Sequence, residues 1–152
     1  MIKSFTLLVC LFILPFQLWA SKDIKNAYPE PELKPNDVVR LQLLAMQQND
    51  ESNFGIEVTF RFASPANKKQ TGPLNRFIRL VRDPSYSPLL NHLNATFLEL
   101  TLEDDLAIQD VIITTSKGKR IGYRFRLSIQ KGTTYPECWM TDSVIPFKPM
   151  EV

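Results

Sequence analysis

Apolar residues change their spacing about two-thirds of the way along the chain, and that change divides the elements it predicts. Val38, Leu41, Leu44, Ala45 and Gln48 recur three and four residues apart, which predicts a helix capped by Asn36 or Asp37 and ending near Asn49-Asp50. Leu74, Phe77, Ile78 and Val81 repeat that spacing after Thr71-Gly72-Pro73. Pro73 suits a first helical position because its missing N–H would be unbonded there anyway, and Pro84 stops the run. Between the two helices, Ile56-Glu57-Val58-Thr59-Phe60-Arg61-Phe62 alternates apolar with polar residues, a period of two that on its own predicts a half-buried strand. Ala63 to Asn67 reads as a turn through Pro65, followed by the polar Lys68-Lys69-Gln70, and Tyr86 to His92 as a short connector.

From Leu93 the period is two throughout. Leu93 to Thr101, Ala107 to Thr115, Arg120 to Gln130 and Glu137 to Phe147 are rich in β-branched and aromatic residues and are separated by turn sequences. They predict four antiparallel strands in a meander. In the third, Ile121, Tyr123, Phe125, Leu127 and Ile129 share one face while Arg120, Arg124, Arg126 and Ser128 take the other, so one side of the sheet needs cover. The preceding helices supply it. The predicted class is therefore α+β, with N-terminal helices packed on a curved four-stranded antiparallel sheet.

The first twenty residues follow a different grammar. Lys3, an apolar run from Phe5 to Leu18 and then Trp19-Ala20 have the form of a cleaved export signal. The run is roughly 14 residues, short of the about 20 that a spanning helix needs. The expected organisation is a signal peptide over 1–20, an extended, mobile arm over 21–35, punctuated by Pro29, Pro31 and Pro35, one domain over 36–147 and a tail over 148–152. The expected location is periplasmic or secreted, with no stable membrane insertion after cleavage.

Removing residues 1–20 leaves 132 of the 152 residues, with 17 basic and 16 acidic side chains. A charge so near zero gives no electrostatic pull toward nucleic acid or an anionic surface. Cys10 lies inside the signal, so Cys138 is the one cysteine left and no intramolecular disulfide is expected. Beside Trp139 it reads as a small buried apolar residue.

Several blocks carry a resemblance: Val38-Val39-Arg40-Leu41-Gln42-Leu43-Leu44-Ala45, Phe62-Ala63-Ser64-Pro65-Ala66-Asn67, Thr71-Gly72-Pro73-Leu74 with Phe77, Tyr86 with Pro88-Leu89, Gln109-Asp110-Val111, and Trp139 with Asp142. Over about Asn36 to Phe147 the chain resembles an uncharacterised bacterial and plant-type family, a domain of unknown function, within the nuclear-transport-factor-two-like superfamily of cone-shaped folds. The resemblance implies that Phe54 to Phe62 is a second helix rather than a strand, and we adopt that reading because a helix there completes the cover over the sheet. It implies no single activity, since that scaffold carries isomerases, dehydratases, binding modules and transport adaptors alike. The acid–base pairs usual in its enzymes have no recognisable counterpart here.

Candidate chemistry is sparse. His92 is the only histidine and would serve as a proton shuttle if Asp110 oriented its ring. Alternation puts Asp110 on the side of Ile108 and Ile112, where a carboxylate either finds a hydrogen-bond partner or lines a pocket. In the second case Asp110, Tyr123, Phe125 and Trp139 would form an aromatic ligand pocket. Arg76, Arg79 and Arg82 read as a solvated helix face, and Glu99 with Glu103-Asp104-Asp105 as a charged hairpin region that lacks the calcium-loop pattern. Asn94-Ala95-Thr96 matches a glycosylation acceptor in a eukaryotic secretory pathway. No metal, cofactor or nucleic-acid signature is present. The leading expectation is a non-enzymatic domain that binds a small apolar ligand or a protein partner. The alternatives are a cofactor-free lyase or isomerase using His92 and Asp110, and a homodimer built through the sheet face that carries Arg124 and Arg126.

Overall fold

The computed structural model describes residues 23–150, so the expected export signal and Cys10 lie outside the described residues. The elements run α1 (Pro35–Gln47), α2 (Phe54–Arg61), α3 (Pro65–Thr71), α4 (Leu74–Val81), then β1 (Asn94–Glu103), β2 (Leu106–Thr114), β3 (Arg120–Ile129) and β4 (Trp139–Phe147). Four helices pack on a four-stranded antiparallel sheet of order β1-β2-β3-β4, which is not closed into a barrel. The expected strands differ from the observed ones by two residues at most at either end.

Helix α1 begins earlier than expected. Pro35 occupies its first position and Asp37 turns back so that its carboxylate accepts the Lys34 N–H at 3.1 Å, leaving Lys34 rather than Asn36 or Asp37 as the cap residue. Its buried face is Val38, Val39, Gln42, Leu43, Ala45 and Met46, while Leu44 and Gln48 are exposed. The expected stripe is thus rotated about the axis, because the centre of the true one is a glutamine. Gln42 Nε2 donates to Thr59 O at 3.1 Å, and Thr59 Oγ1 lies 3.4 Å from Gln42 O.

The same pair explains α2. By residue type the segment alternates, yet Thr59 is buried with Gly55, Ile56 and Val58, and its hydroxyl is satisfied by Gly55 O at 2.9 Å. Counted as buried, Thr59 turns the alternation into a helical stripe, with Glu57 and Arg61 paired at 3.3 Å on the outside. The helix implied by the resemblance is present, and the strand predicted by the local pattern is not. The start of α2 is capped from another element, since buried Asn49 accepts the Gly55 and Ile56 N–H groups at 3.0 and 3.3 Å. Asn91 satisfies the far end of α1 in the same fashion, donating to Gln47 O and Asn49 O at 3.1 and 2.8 Å.

Helix α3 was expected as a turn. Its cap is Ser64, whose hydroxyl accepts the Asn67 N–H at 3.2 Å, with Pro65 at the first position. Ala63 forms a parallel bridge with Thr141, and Asn67 Nδ2 donates to Thr141 O at 3.0 Å. The Ala63-Ser64-Pro65-Ala66-Asn67 block is therefore a docking device that fastens α3 to the edge of β4. Pro73 stands just before α4 as its cap rather than inside it, and Phe77 and Val81 are the buried members of the expected stripe.

The arm is packed from Ile24 onward. Ile24, Ala27, Pro29 and Leu33 are buried, and Arg61 donates to Lys25 O and Ala27 O at 2.9 and 2.8 Å while its guanidinium stacks 4.4 Å from the Tyr28 ring centre. The expected mobile arm is a strap, held by irregularly spaced apolar residues that show no period.

On the sheet, Ala107, Gln109, Val111 and Ile113 of β2 and Tyr123, Phe125 and Leu127 of β3 face the helices and are buried. Gln109 again is polar by type and interior by position. Its amide donates to Leu98 O and Asp110 O at 2.8 and 3.0 Å, filling the bulge where β1 shifts register between Phe97 and Leu100.

Candidate functional site

The helices and the sheet enclose a cavity of about 80 Å³. Phe125 and Val144 form its floor, Leu43 and Met46 of α1 and Phe77, Leu80 and Val81 of α4 its walls, and Gln42, Thr59, Asn67, Thr71 and Tyr86 its polar edge. A continuous hydrogen-bond chain organises that edge. Thr141 Oγ1 donates to Gln42 Oε1 at 2.7 Å, Asn67 holds Thr141 O, and Thr71 Oγ1 donates to Asn67 O at 3.0 Å. Tyr86 donates to Val144 O at 3.1 Å. Among the described residues no buried side-chain oxygen or nitrogen lacks a partner. Several donors are committed, whereas the hydroxyls of Tyr86, Thr71 and Thr141 keep lone pairs and the Gln42 amide keeps a second N–H. No carboxylate, imidazole or amine lines the cavity, and what it offers is shape and neutral hydrogen-bonding groups.

Of the four residues expected to form a pocket, one lines this cavity: Phe125. Tyr123 is fully buried nearby but spends its hydroxyl on Ser85 O at 2.9 Å, and burial, reinforced by the Tyr86 phenol, pushes its own phenol up to about 12. It is a fixed donor that pins the α4–β1 connection. Trp139 packs against the core opposite Ile129 and is not in the lining.

Asp110 is on the other side of the sheet. It shares its face with Ile108 and Ile112, as alternation requires, but that is the face away from the helices. Its direct cross-strand neighbour is Arg124, which donates from Nε and Nη2 to the two carboxylate oxygens at 2.8 and 2.7 Å. This bidentate hydrogen bonding raises the Arg124 pKa further above its ordinary value. The carboxylate on an apolar face has found its partner.

His92 is 4 % exposed, at the junction before β1. Its Nδ1 stands 2.8 Å from Leu89 O, and because a carbonyl only accepts, Nδ1 carries the proton. Among the described residues no hydrogen bond joins His92 to Asp110, so the two expected relay partners are not brought together. Burial pushes the His92 pKa below its usual value, against the opposing pull of the Leu89 hydrogen bond. The neutral ring therefore belongs to the folded state, while the unfolded chain takes up a proton as pH falls through about 6.5. Stability contributed by His92 is complete above that pH and declines below it, toward the folded value. Urea midpoints measured from pH 7.5 to 5.5 should fall toward acid in the parent protein, and His92→Gln should flatten that slope.

The remaining candidates occupy the surface. Arg76 and Arg79 are exposed on α4, and Arg82 bonds Asn53. Asp105 in the first hairpin pairs with Lys131, and Asn94 is exposed at the start of β1. Cys138 is buried and free, and burial pushes its thiol up. Among the described residues no three or more histidine, cysteine, aspartate or glutamate side chains are grouped to hold a metal, and no helix is long and apolar enough to cross a membrane.

Sequence reasoning missed Gln42, Asn67, Thr71, Tyr86 and Thr141. Gln42, Asn67, Thr71 and Tyr86 lie within the blocks that carry the resemblance, which is the available signal. Thr141 had none, since its role depends on an edge contact with a segment some 75 residues earlier.

No curated protein and no solved structure matches this chain. A family profile does, from residue 30 to residue 148, which spans the last turn of the strap, the four helices and the whole sheet. The chain thus belongs to the family described as Domain of unknown function (DUF4864).

Proposed function

We propose that this protein is a non-enzymatic binding domain whose ligand is a small, largely apolar molecule with one or two hydrogen-bonding groups, seated between α1, α4 and the sheet. The observation that carries the reading is the composition of the cavity: apolar walls from Leu43, Met46, Phe77 and Leu80 meet a neutral polar edge at Gln42, Thr71 and Tyr86. Ligand sites have this character, with a hydrophobic body and a few placed polar groups. At about 80 Å³ the space is below the roughly 300–1,000 Å³ of typical ligand pockets, so occupancy by anything beyond a few heavy atoms requires α4 to move outward. That helix is eight residues long and buries two residues, Phe77 and Val81, against seven on α1, so it is the helical wall with less apolar contact to give up.

Two further readings accompany this one. Helices preceding a bent antiparallel sheet support placement in the nuclear-transport-factor-two-like superfamily, with the cavity as the interior of its cone. The pattern of residues 1–20 supports export, so the ligand would be met in a periplasmic or extracellular space.

Native mass spectrometry of the protein purified from its own source, followed by a thermal-shift panel of small apolar metabolites, tests the proposal. A bound compound present at 100 times its Kd should add about 2.7 kcal/mol to stability. Leu80→Trp, which fills the space, should abolish the shift. A protein that carries no adduct and responds to no member of the panel would refute the binding reading.

A further inference from the structure

A second concave site lies at the opposite end of β3 and β4 from Trp139, and nothing above uses it. The β2–β3 turn and the end of β4 together form a groove of about 670 Å³ lined by Lys119, Arg120, Ile121, Phe147, Lys148 and Met150, among others. Its floor is fixed by an unusual residue. Gly122 stands inside β3, where a glycine ordinarily weakens a strand, and any side chain there would collide with the Phe147 ring. The ring therefore lies directly on the backbone of its cross-strand neighbour. Its position is set by the absence of an atom.

The backbone of the turn that carries Lys119 is well defined. Thr115 organises the turn: its N–H donates to Lys119 O at 2.8 Å, and its hydroxyl accepts the Lys117 and Lys119 N–H groups at 3.3 and 3.1 Å. Gly118, at φ +80, supplies the left-handed residue the turn needs. Among the described residues none of Lys119, Arg120 and Lys148 forms an ion pair, and no carboxylate lines the groove. Two other cations of this half of the chain are neutralised, Arg124 by Asp110 and Lys131 by Asp105, whereas Arg126 of β3 forms no ion pair among the described residues. In a chain of net charge +2, three cations without an ion pair among the described residues, around one apolar trough, are a local excess.

We infer that this groove binds a single-chain anionic amphiphile, a molecule with a carboxylate or phosphate head and an alkyl or aromatic body. The head meets the Arg120 guanidinium, whose planar fork matches an oxyanion, with Lys119 and Lys148 adding charge. The body lies along Phe147 and Met150, the last 89 % exposed. A hydrophilic polyanion would leave that apolar floor unused. A bilayer surface is flat, whereas this site is concave and has the volume of a small-molecule pocket.

The test is calorimetric titration of the purified protein with decyl phosphate below its micelle-forming concentration. Inorganic phosphate and phosphatidylglycerol vesicles serve as comparison ligands, and phosphatidylcholine vesicles as the neutral control. Decyl phosphate should bind at least tenfold more tightly than inorganic phosphate, weaken with added salt, and lose at least tenfold in affinity in the double variant Lys119→Glu/Arg120→Glu. Leu80→Trp, which blocks the interior cavity, should leave it unchanged. Should the double variant fail to fold, the milder Arg120→Gln should still lose several-fold. Equal binding by parent and charge-reversed protein, loss of binding in Leu80→Trp instead, or inorganic phosphate binding as tightly as decyl phosphate would each overturn the inference. Attachment to phosphatidylglycerol vesicles without binding of monomeric decyl phosphate would assign the cations to a bilayer surface and overturn it as well.

Discussion

Gly55→Ala should destabilise the protein by about 3 kcal/mol, read as a fall in the urea midpoint with an unchanged slope. Two effects oppose each other at this position. Alanine is the better helix former by roughly 1 kcal/mol, which favours the variant. A methyl group at Gly55, however, would overlap the Ala45 carbonyl and come within 2.9 Å of Asn49 Cβ. The obstruction is the backbone of α1 and not the tip of a flexible side chain, so relief requires α1 and α2 to separate. Separation also pulls the Asn49 carboxamide away from the two N–H groups it caps. Steric overlap therefore outweighs propensity. Gly132→Ala is the control, because nothing lies within 4 Å of a side chain built there, and its stability should stay within about 0.5 kcal/mol of the parent.

Gln42→Leu should cost about 2–3 kcal/mol. Leucine keeps most of the volume but severs both ends of the carboxamide, leaving the Thr141 hydroxyl facing an apolar group and removing the amide donor to Thr59 O. Thr141→Val alone should cost less, about 1–2 kcal/mol, since it leaves Gln42 with one satisfied end. The double variant Gln42→Leu/Thr141→Val should then be more stable than the sum of the singles predicts, by about 1 kcal/mol or more, because two apolar groups of matching shape are cheaper than one stranded hydroxyl. Additive losses would show that the 2.7 Å contact contributes no coupling and that Gln42 acts through packing alone.

Both predictions fall where reading by residue type went astray. Gln42 lies off the stripe that spacing predicts for α1, and Thr59 counts as polar in the alternation that makes α2 look like a strand. In the fold each satisfies the other, so both enter the interior at little cost. Gln109 repeats the lesson in the sheet, where its amide substitutes for hydrogen bonds that a bulge interrupts. The strap at Ile24, Ala27 and Leu33 departs from the expected mobile arm for the complementary reason, that burial without a period has no local signature. Asp110 shows the limit most plainly. Alternation correctly grouped it with Ile108 and Ile112, but which of two partly apolar faces the helices cover cannot be read from one strand.

Local covalent preferences and apolar spacing were enough to settle the class, the four strands with their faces relative to one another, the helix after Pro73 and the buried character of Cys138. Those features depend on neighbours within a few residues, where backbone geometry and side-chain period act directly. The cover on the sheet, the caps that Asn49 and Asn91 lend to other elements, the chain from Gln42 through Thr141 to Asn67, and the groove over Gly122 belong to three-dimensional packing. Each joins groups that are distant along the chain or adjacent on paired strands, and a polar atom's partner at such a distance leaves no trace in the residues beside it.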